Sequence, residues 1–135
     1  MRAPRRTARV EYHLPRKPCS ASGARQLTRM FLRRDGRRGH GPDDAGSALL
    51  VVSELVTNAT RHGQGCCRLR LSVDARDQLV VEVHDSGRGH PRLRPHSPSA
   101  EGGRGIALVE ALSSRLLVVP DGDGGKTVRA VLAGK

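Results

Sequence analysis

Residues 42–63 read PDDAGSALLVVSELVTNATRHG, and their pattern sets the architecture of the chain. Pro42 suits the first turn of a helix, Asp43 and Asp44 complement its positive end, and Gly63 is a natural stop. A helix is therefore predicted from Pro42 to about His62, with Ala48, Leu49, Val52, Leu55, Val56 and Ala59 as its core face. At about 100° per residue, Glu54 and Asn58 lie about 40° apart on a second stripe, beside Leu50 and Arg61. One side packs while the other presents a carboxylate and an amide one turn apart. A carboxylate can take a proton from water or a hydroxyl, and an amide oxygen can ligate a hard ion such as Mg²⁺. Alone, such a pair also fits a solvated helix face. What sharpens it is the absence of charge from Ala45 to Val52, so that Glu54 follows directly on a long apolar segment.

Outward from this helix the chain alternates between strand and helix patterns. Ala8–Leu14 alternates weakly and stops at Pro15, as a short edge strand would. Ser20 or Ser22 can cap a helix through Ala24, Leu27, Met30 and Phe31, with 27, 30 and 31 on one stripe, ending in the Arg- and Gly-rich loop Arg33–Gly41. Cys66–Val73 and Gln78–His84 are two strands joined by Asp74–Asp77, the pattern of an antiparallel hairpin. In the second, Leu79, Val81 and Val83 point one way while Val80, Glu82 and His84 point the other. Asp85–Gly89 is a turn, and Pro91–Ala100, with three prolines, reads as a mobile loop. Gly102–Gly105 opens a helix from Ile106 to about Ser113, before strands Arg115–Val119 and Thr127–Leu132. The expected fold is α+β: a two-layer α/β sandwich whose mixed, mostly antiparallel sheet carries helices on one face.

Composition bounds the possibilities. The 135 residues suit one domain, 1–135, and with one Tyr and one Phe the core must come from Leu, Val and Ala. No apolar run approaches the length of a membrane-spanning helix, and the basic start lacks the apolar stretch of a secretory signal. Cys19, Cys66 and Cys67 show no CxxC spacing, so a reduced, soluble, cytoplasmic protein is expected. The formal charge of +11 is concentrated: residues 1–40 hold 12 basic and two acidic side chains, a net +10. Such an arm can meet nucleic acid or an acidic protein surface through Coulomb attraction. Single-strand recognition by stacking, however, needs rings that the chain lacks, so direct nucleic-acid binding is not the expected business.

Two further segments suit a ligand. Asp85-Ser-Gly-Arg-Gly89 places an acid before two glycines, where the backbone can turn sharply beside a bound molecule. A carboxylate there can accept a hydrogen bond from an exocyclic amine such as that of adenine. Gly102-Gly-Arg-Gly105 leads into an apolar helix, whose unpaired N–H groups form an anion site to which Arg104 adds charge. An ordinary glycine turn remains open for the first and a plain helix start for the second. Gly124-Gly-Lys-Thr127 is not a P-loop: Pro120 stands where the pattern needs glycine, and a strand follows rather than a helix. The histidines at 13, 40, 62, 84, 90 and 96 form no ligand-like cluster, and His84 reads as a strand surface residue.

The order of these signals is distinctive: ExxxN on a helix, a hairpin, DxGxG, a variable loop, GGxG before a helix, and GKT on a late strand. It resembles the ATP-binding domain shared by histidine kinases, gyrase B and mismatch-repair ATPases, and most closely the single-domain anti-sigma-factor serine kinases. SELVTNATRHG (53–63) and EGGRGIALVEAL (101–112) carry most of the resemblance, which covers about residues 8–132. It departs from the family in carrying Arg129 where an aromatic is common after GKTV. The resemblance implies ATP and Mg²⁺ as cofactors, with Glu54 as general base and Asn58 as metal ligand. Asp85 would recognise adenine, with Gly87 and Gly89 shaping the pocket beneath it. Gly103 and Gly105 would lie along the phosphates, with Arg104 nearby, and Thr127 would support the adenine end. It further implies a protein serine/threonine kinase that binds a sigma factor, phosphorylates an antagonist protein and often forms a homodimer. A nucleotide-gated binder without catalysis and a basic nucleic-acid-associated protein are the competing expectations.

Overall fold

The computed structural model describes residues 9–17, 20–34, 42–62, 67–85, 101–121 and 124–132. In chain order the elements are β1 (Arg9–Leu14), α1 (Ser20–Arg34), α2 (Pro42–His62), β2 (Cys67–Val73), β3 (Leu79–Asp85), α3 (Glu101–Leu112), β4 (Arg115–Pro120) and β5 (Lys126–Leu132). The strands form one five-stranded sheet in the order β1-β2-β3-β5-β4. The mostly antiparallel expectation is met, each of the four pairings being antiparallel. The helices cover one face, with α2 in the middle, in contact with both α1 and α3.

Local chemistry explains the joints. The β2–β3 hairpin closes on Asp74, whose Oδ1 accepts from the Arg76 and Gln78 backbone N–H groups, both at 2.9 Å. Asp77 takes a positive φ of 67°, the left-handed step that such a loop needs and that Asp tolerates. In the β4–β5 turn the same step falls on Gly124, at φ 91°. The Ser20 hydroxyl donates to the Pro15 carbonyl, tying the start of α1 to the end of β1.

The core lies between the layers, and the aliphatic composition is enough to fill it. From α2 come Val51, Val52, Leu55 and Val56, and from the sheet Leu69, Leu71, Val81 and Val83, all at most 2% exposed. The α2 face differs from the expected one at a single step, since Val51 is fully buried and Leu49 only half-buried. A middle helix is covered on both flanks, so its buried arc is wider than one stripe. In α1 the difference is larger. Met30 is 53% exposed, and the inward stripe is Ala24, Thr28 and Phe31. Thr28 can sit there because its hydroxyl donates to the Ala24 carbonyl at 2.7 Å and so is itself paired inside the core.

Gly23 lies inside α1, exposed, with no atom within 4 Å of where a Cβ would stand. Gly23→Ala should therefore stabilise the fold by about 0.5–1 kcal/mol, through helix propensity alone. In urea unfolding the midpoint should rise with the slope unchanged.

Candidate functional site

Glu54 and Asn58 are both half-buried on α2. Which flank they occupy follows from Thr60, whose carbonyl accepts from Arg16 Nε at 3.1 Å in the β1–α1 connection. Thr60 thus marks the α1 side of α2. Glu54 and Asn58 lie about 120° and 160° round the helix from it, and so face α3.

The topology also fixes the end of the sheet to which they belong. Only four residues separate His62, at the end of α2, from Cys67, which pairs with Asp85 across β2 and β3. Asn58, one turn before the end of α2, therefore lies toward the Asp85 end. The other end of the sheet receives α3: just past its last residue, the Ser114 N–H donates to the Val131 carbonyl at 2.8 Å. A helix of this length spans about 18 Å, close to the run of β5 from Val131 back to Lys126. The first turn of α3 consequently lies toward Asp85 as well.

Asp85 ends β3 on the helix-covered face, 4% exposed. Directly across the β3–β5 ladder is Lys126, also 4% exposed, with its Nζ 3.8 Å from Asp85 Oδ2. Sequence reasoning missed this lysine. The available signal was phase: on a strand ending at Leu132, position 126 shares the inward face with Val128 and Ala130.

Thr127 corrects the expected set for the same reason. It projects from the opposite face of the sheet, away from Asp85, and cannot support the same pocket as that carboxylate. There its hydroxyl donates to Asp121 Oδ2 at 3.2 Å and lies 3.1 Å from His84 Nδ1. His84 Nδ1 in turn lies 2.6 Å from Asp121 Oδ2, so this strand surface histidine is held by a carboxylate.

Gly103, Arg104 and Gly105 fall in the first turns of α3, which begins at Glu101, five residues before the expected Ile106. The glycines are thus the helix start rather than a loop leading to it. Gly87 and Gly89, the loop Pro91–Ala100, and most of the basic loop Arg33–Gly41 lie outside the described residues.

Among the described residues no three His, Cys, Asp or Glu side chains cluster as a metal cage. The Asn58 amide oxygen is nevertheless a hard donor. That fits Mg²⁺, which commonly takes one or two protein oxygens and completes its shell with phosphates and water.

The face of the sheet opposite the helices has a different character. Arg68, Arg70, Glu82, His84 and Thr127 line a shallow, open depression. Charges of both signs alternate across it. Arg70 donates to Glu11 Oε1 from Nη2 at 2.8 Å and from Nε at 3.1 Å, and its Nη1 lies 3.9 Å from Glu82. Hydrogen bonding from Arg70 holds the Glu11 carboxyl below its usual range. Asp85 and Lys126 lie on the far side of the sheet, so this depression is no part of their site.

Fold and sequence together define the class. The chain belongs to the histidine kinase-like ATPase domain family, which it matches over residues 14–132. Blue-light-activated histidine kinase 2 of Erythrobacter litoralis (strain HTCC2594) is 37% identical over 89 residues, 61% of this chain and 26% of that protein. The chain therefore spans about a quarter of the length of that curated relative. Among solved structures, that of the RsbU and RsbW domains of Rv1364c from Mycobacterium tuberculosis is similar with a TM-score of 0.69 and 21% identity. It covers 94% of this chain and 32% of that one. The SiaB–SiaC complex from Pseudomonas aeruginosa gives a TM-score of 0.68 at 12% identity, covering 91% of this chain and 88% of that one. At these identities the two structures establish a shared fold. No helix among the described residues is long and apolar enough to cross a membrane.

Proposed function

We propose that this protein binds ATP with Mg²⁺ and transfers the γ-phosphoryl group to a serine of a partner protein, as a regulatory switch of the anti-sigma type. What supports this reading is that Asn58 and Asp85, from two separate elements, both lie toward one end of the helix-covered face, with Glu54 one turn back from Asn58 on the same flank of α2. Membership of an ATPase family supports reading that end as the nucleotide site. Asp85 accepts from the exocyclic amine of adenine, while the first turns of α3, with Gly103, Arg104 and Gly105, face the phosphates. Gly87 and Gly89 shape the pocket beneath the base. Asn58 holds the Mg²⁺, which offsets phosphate charge when bound. Glu54 accepts the proton of the serine hydroxyl as its oxygen bonds to the γ-phosphorus and the bond to the bridging oxygen breaks, releasing ADP.

The partners follow from the sequence resemblance: a sigma factor that the protein sequesters and a serine-bearing antagonist that it phosphorylates, in the cytoplasm, with the kinase as a homodimer.

The test is incubation of the purified full chain with γ-labelled ATP, Mg²⁺ and the antagonist-type protein of its genomic neighbourhood. Label on a serine of that protein, absent when EDTA is added, is the expected result. ATP binding without transfer to any partner would leave a nucleotide-gated binder in its place.

A further inference from the structure

We infer that Lys126 reads the base of the nucleotide together with Asp85, its ammonium donating to N1 of adenine while Asp85 accepts from the N6 amine. This deepens the proposed ATP site and rests on that reading. The starting observation is an oddity of β5. Its inward row is Lys126, Val128, Ala130 and Leu132, all buried, and only the first is charged. Lysine is almost never fully buried, and a buried ion pair is commonly no more stabilising than apolar residues of the same volume. The fold alone gives no reason for a lysine at this point, where an aliphatic residue would continue the core.

Its position supplies one. Lys126 stands directly opposite Asp85 in the ladder, at the end of β3. At 3.8 Å the ammonium and carboxylate are an ion pair longer than a direct hydrogen bond. Side by side they present one donor and one acceptor. The Watson–Crick edge of adenine offers the complement on adjacent atoms, an N6–H donor and an N1 acceptor. Guanine reverses both: in the same pose its O6 would meet the carboxylate and its N1–H the ammonium. The pair therefore selects adenine twice over, once at each atom, whereas Asp85 alone would select it once.

Calorimetric titration of the wild type and Lys126→Met with ATP, 1-deaza-ATP and GTP tests this. In 1-deaza-ATP a C–H replaces N1 and nothing else changes. The wild type should bind it about 10- to 100-fold more weakly than ATP, as expected for loss of a hydrogen bond to a charged group. In Lys126→Met that difference should vanish, and the preference for ATP over GTP should shrink by about 10-fold or more. Should the single variant fail to fold around a buried carboxylate that has lost this counter-charge, Lys126→Met/Asp85→Asn removes both charges of the pair and should likewise show no difference between ATP and 1-deaza-ATP. An equal affinity of the wild type for both nucleotides, or a penalty that persists without Lys126, would overturn the inference while leaving the ATP site standing. A wild type that binds no adenine nucleotide would remove the proposed function itself.

Discussion

Glu54→Ala should slow phosphate transfer to the partner protein by about 100- to 10,000-fold, the usual contribution of a positioned general base. ATP affinity should change by less than about threefold, because the carboxylate acts on the serine proton and the base and phosphates are held elsewhere. The fold should tolerate the change. Glu54 is half-buried on the α3 flank of α2, outside the row formed by Val52, Leu55, Val56 and Ala59, and alanine is the best helix former. Glu54→Gln is the sharper variant, since it keeps size and hydrogen bonding and removes only the capacity to take a proton. Single-turnover transfer measured with labelled ATP, beside calorimetry and thermal unfolding of the same samples, separates the three effects. If Glu54→Gln transferred at the wild-type rate, the proton would be leaving by another route. Asn58→Ala should behave oppositely, weakening Mg²⁺-dependent ATP binding before it affects transfer.

The sequence revealed most where a segment's structure is decided locally. The two ends of α2 carry their own punctuation in Pro42, the two aspartates and Gly63, and the structure places the helix at Pro42–His62 as expected. The hairpin was legible because Asp74–Asp77 separates two alternating runs, and both strands fall within one residue of their expected ends. Glycine misled at α3. Its low helix propensity argues for a loop at 102–105, yet the helix runs through these positions from Glu101, anchored by buried Ile106 and Val109.

Strand phase was the second source of error. Reading Gly-Lys-Thr as one motif drew attention to Thr127, while the alternation of β5 turns Thr127 outward and Lys126 inward. A shift of one residue changes the face of the sheet. The pairing of Lys126 with Asp85 is a matter of β3–β5 register, set by a connection that includes all of α3 and β4, and no local pattern encodes it. Met30 was misplaced for a related reason. Thr28 takes the inward position by bonding its own hydroxyl to Ala24, which hydrophobicity alone does not foresee.

The Asp85–Lys126 pair also dictates an expected result for stability. Asp85→Asn should destabilise the protein by about 3–5 kcal/mol, the usual cost of leaving one member of a buried ion pair without its counter-charge. A surface aspartate would give a fraction of that. The distinction rests on burial, since both side chains are only 5% exposed and 3.8 Å apart. The same substitution should weaken ATP by several- to a hundred-fold, as an amide oxygen replaces a charged acceptor for the exocyclic amine. Binding and stability are thus confounded in the single variant, and Asp85→Asn/Lys126→Met separates them. With both charges gone, most of the lost stability should return, because an apolar methionine fits the inward row of β5. ATP affinity should stay low, since neither base-reading group is restored. Urea unfolding of wild type and the three variants, with ATP titrations of those still folded, completes the cycle. Recovery of affinity along with stability would mean that Asp85 serves the fold and not the nucleotide.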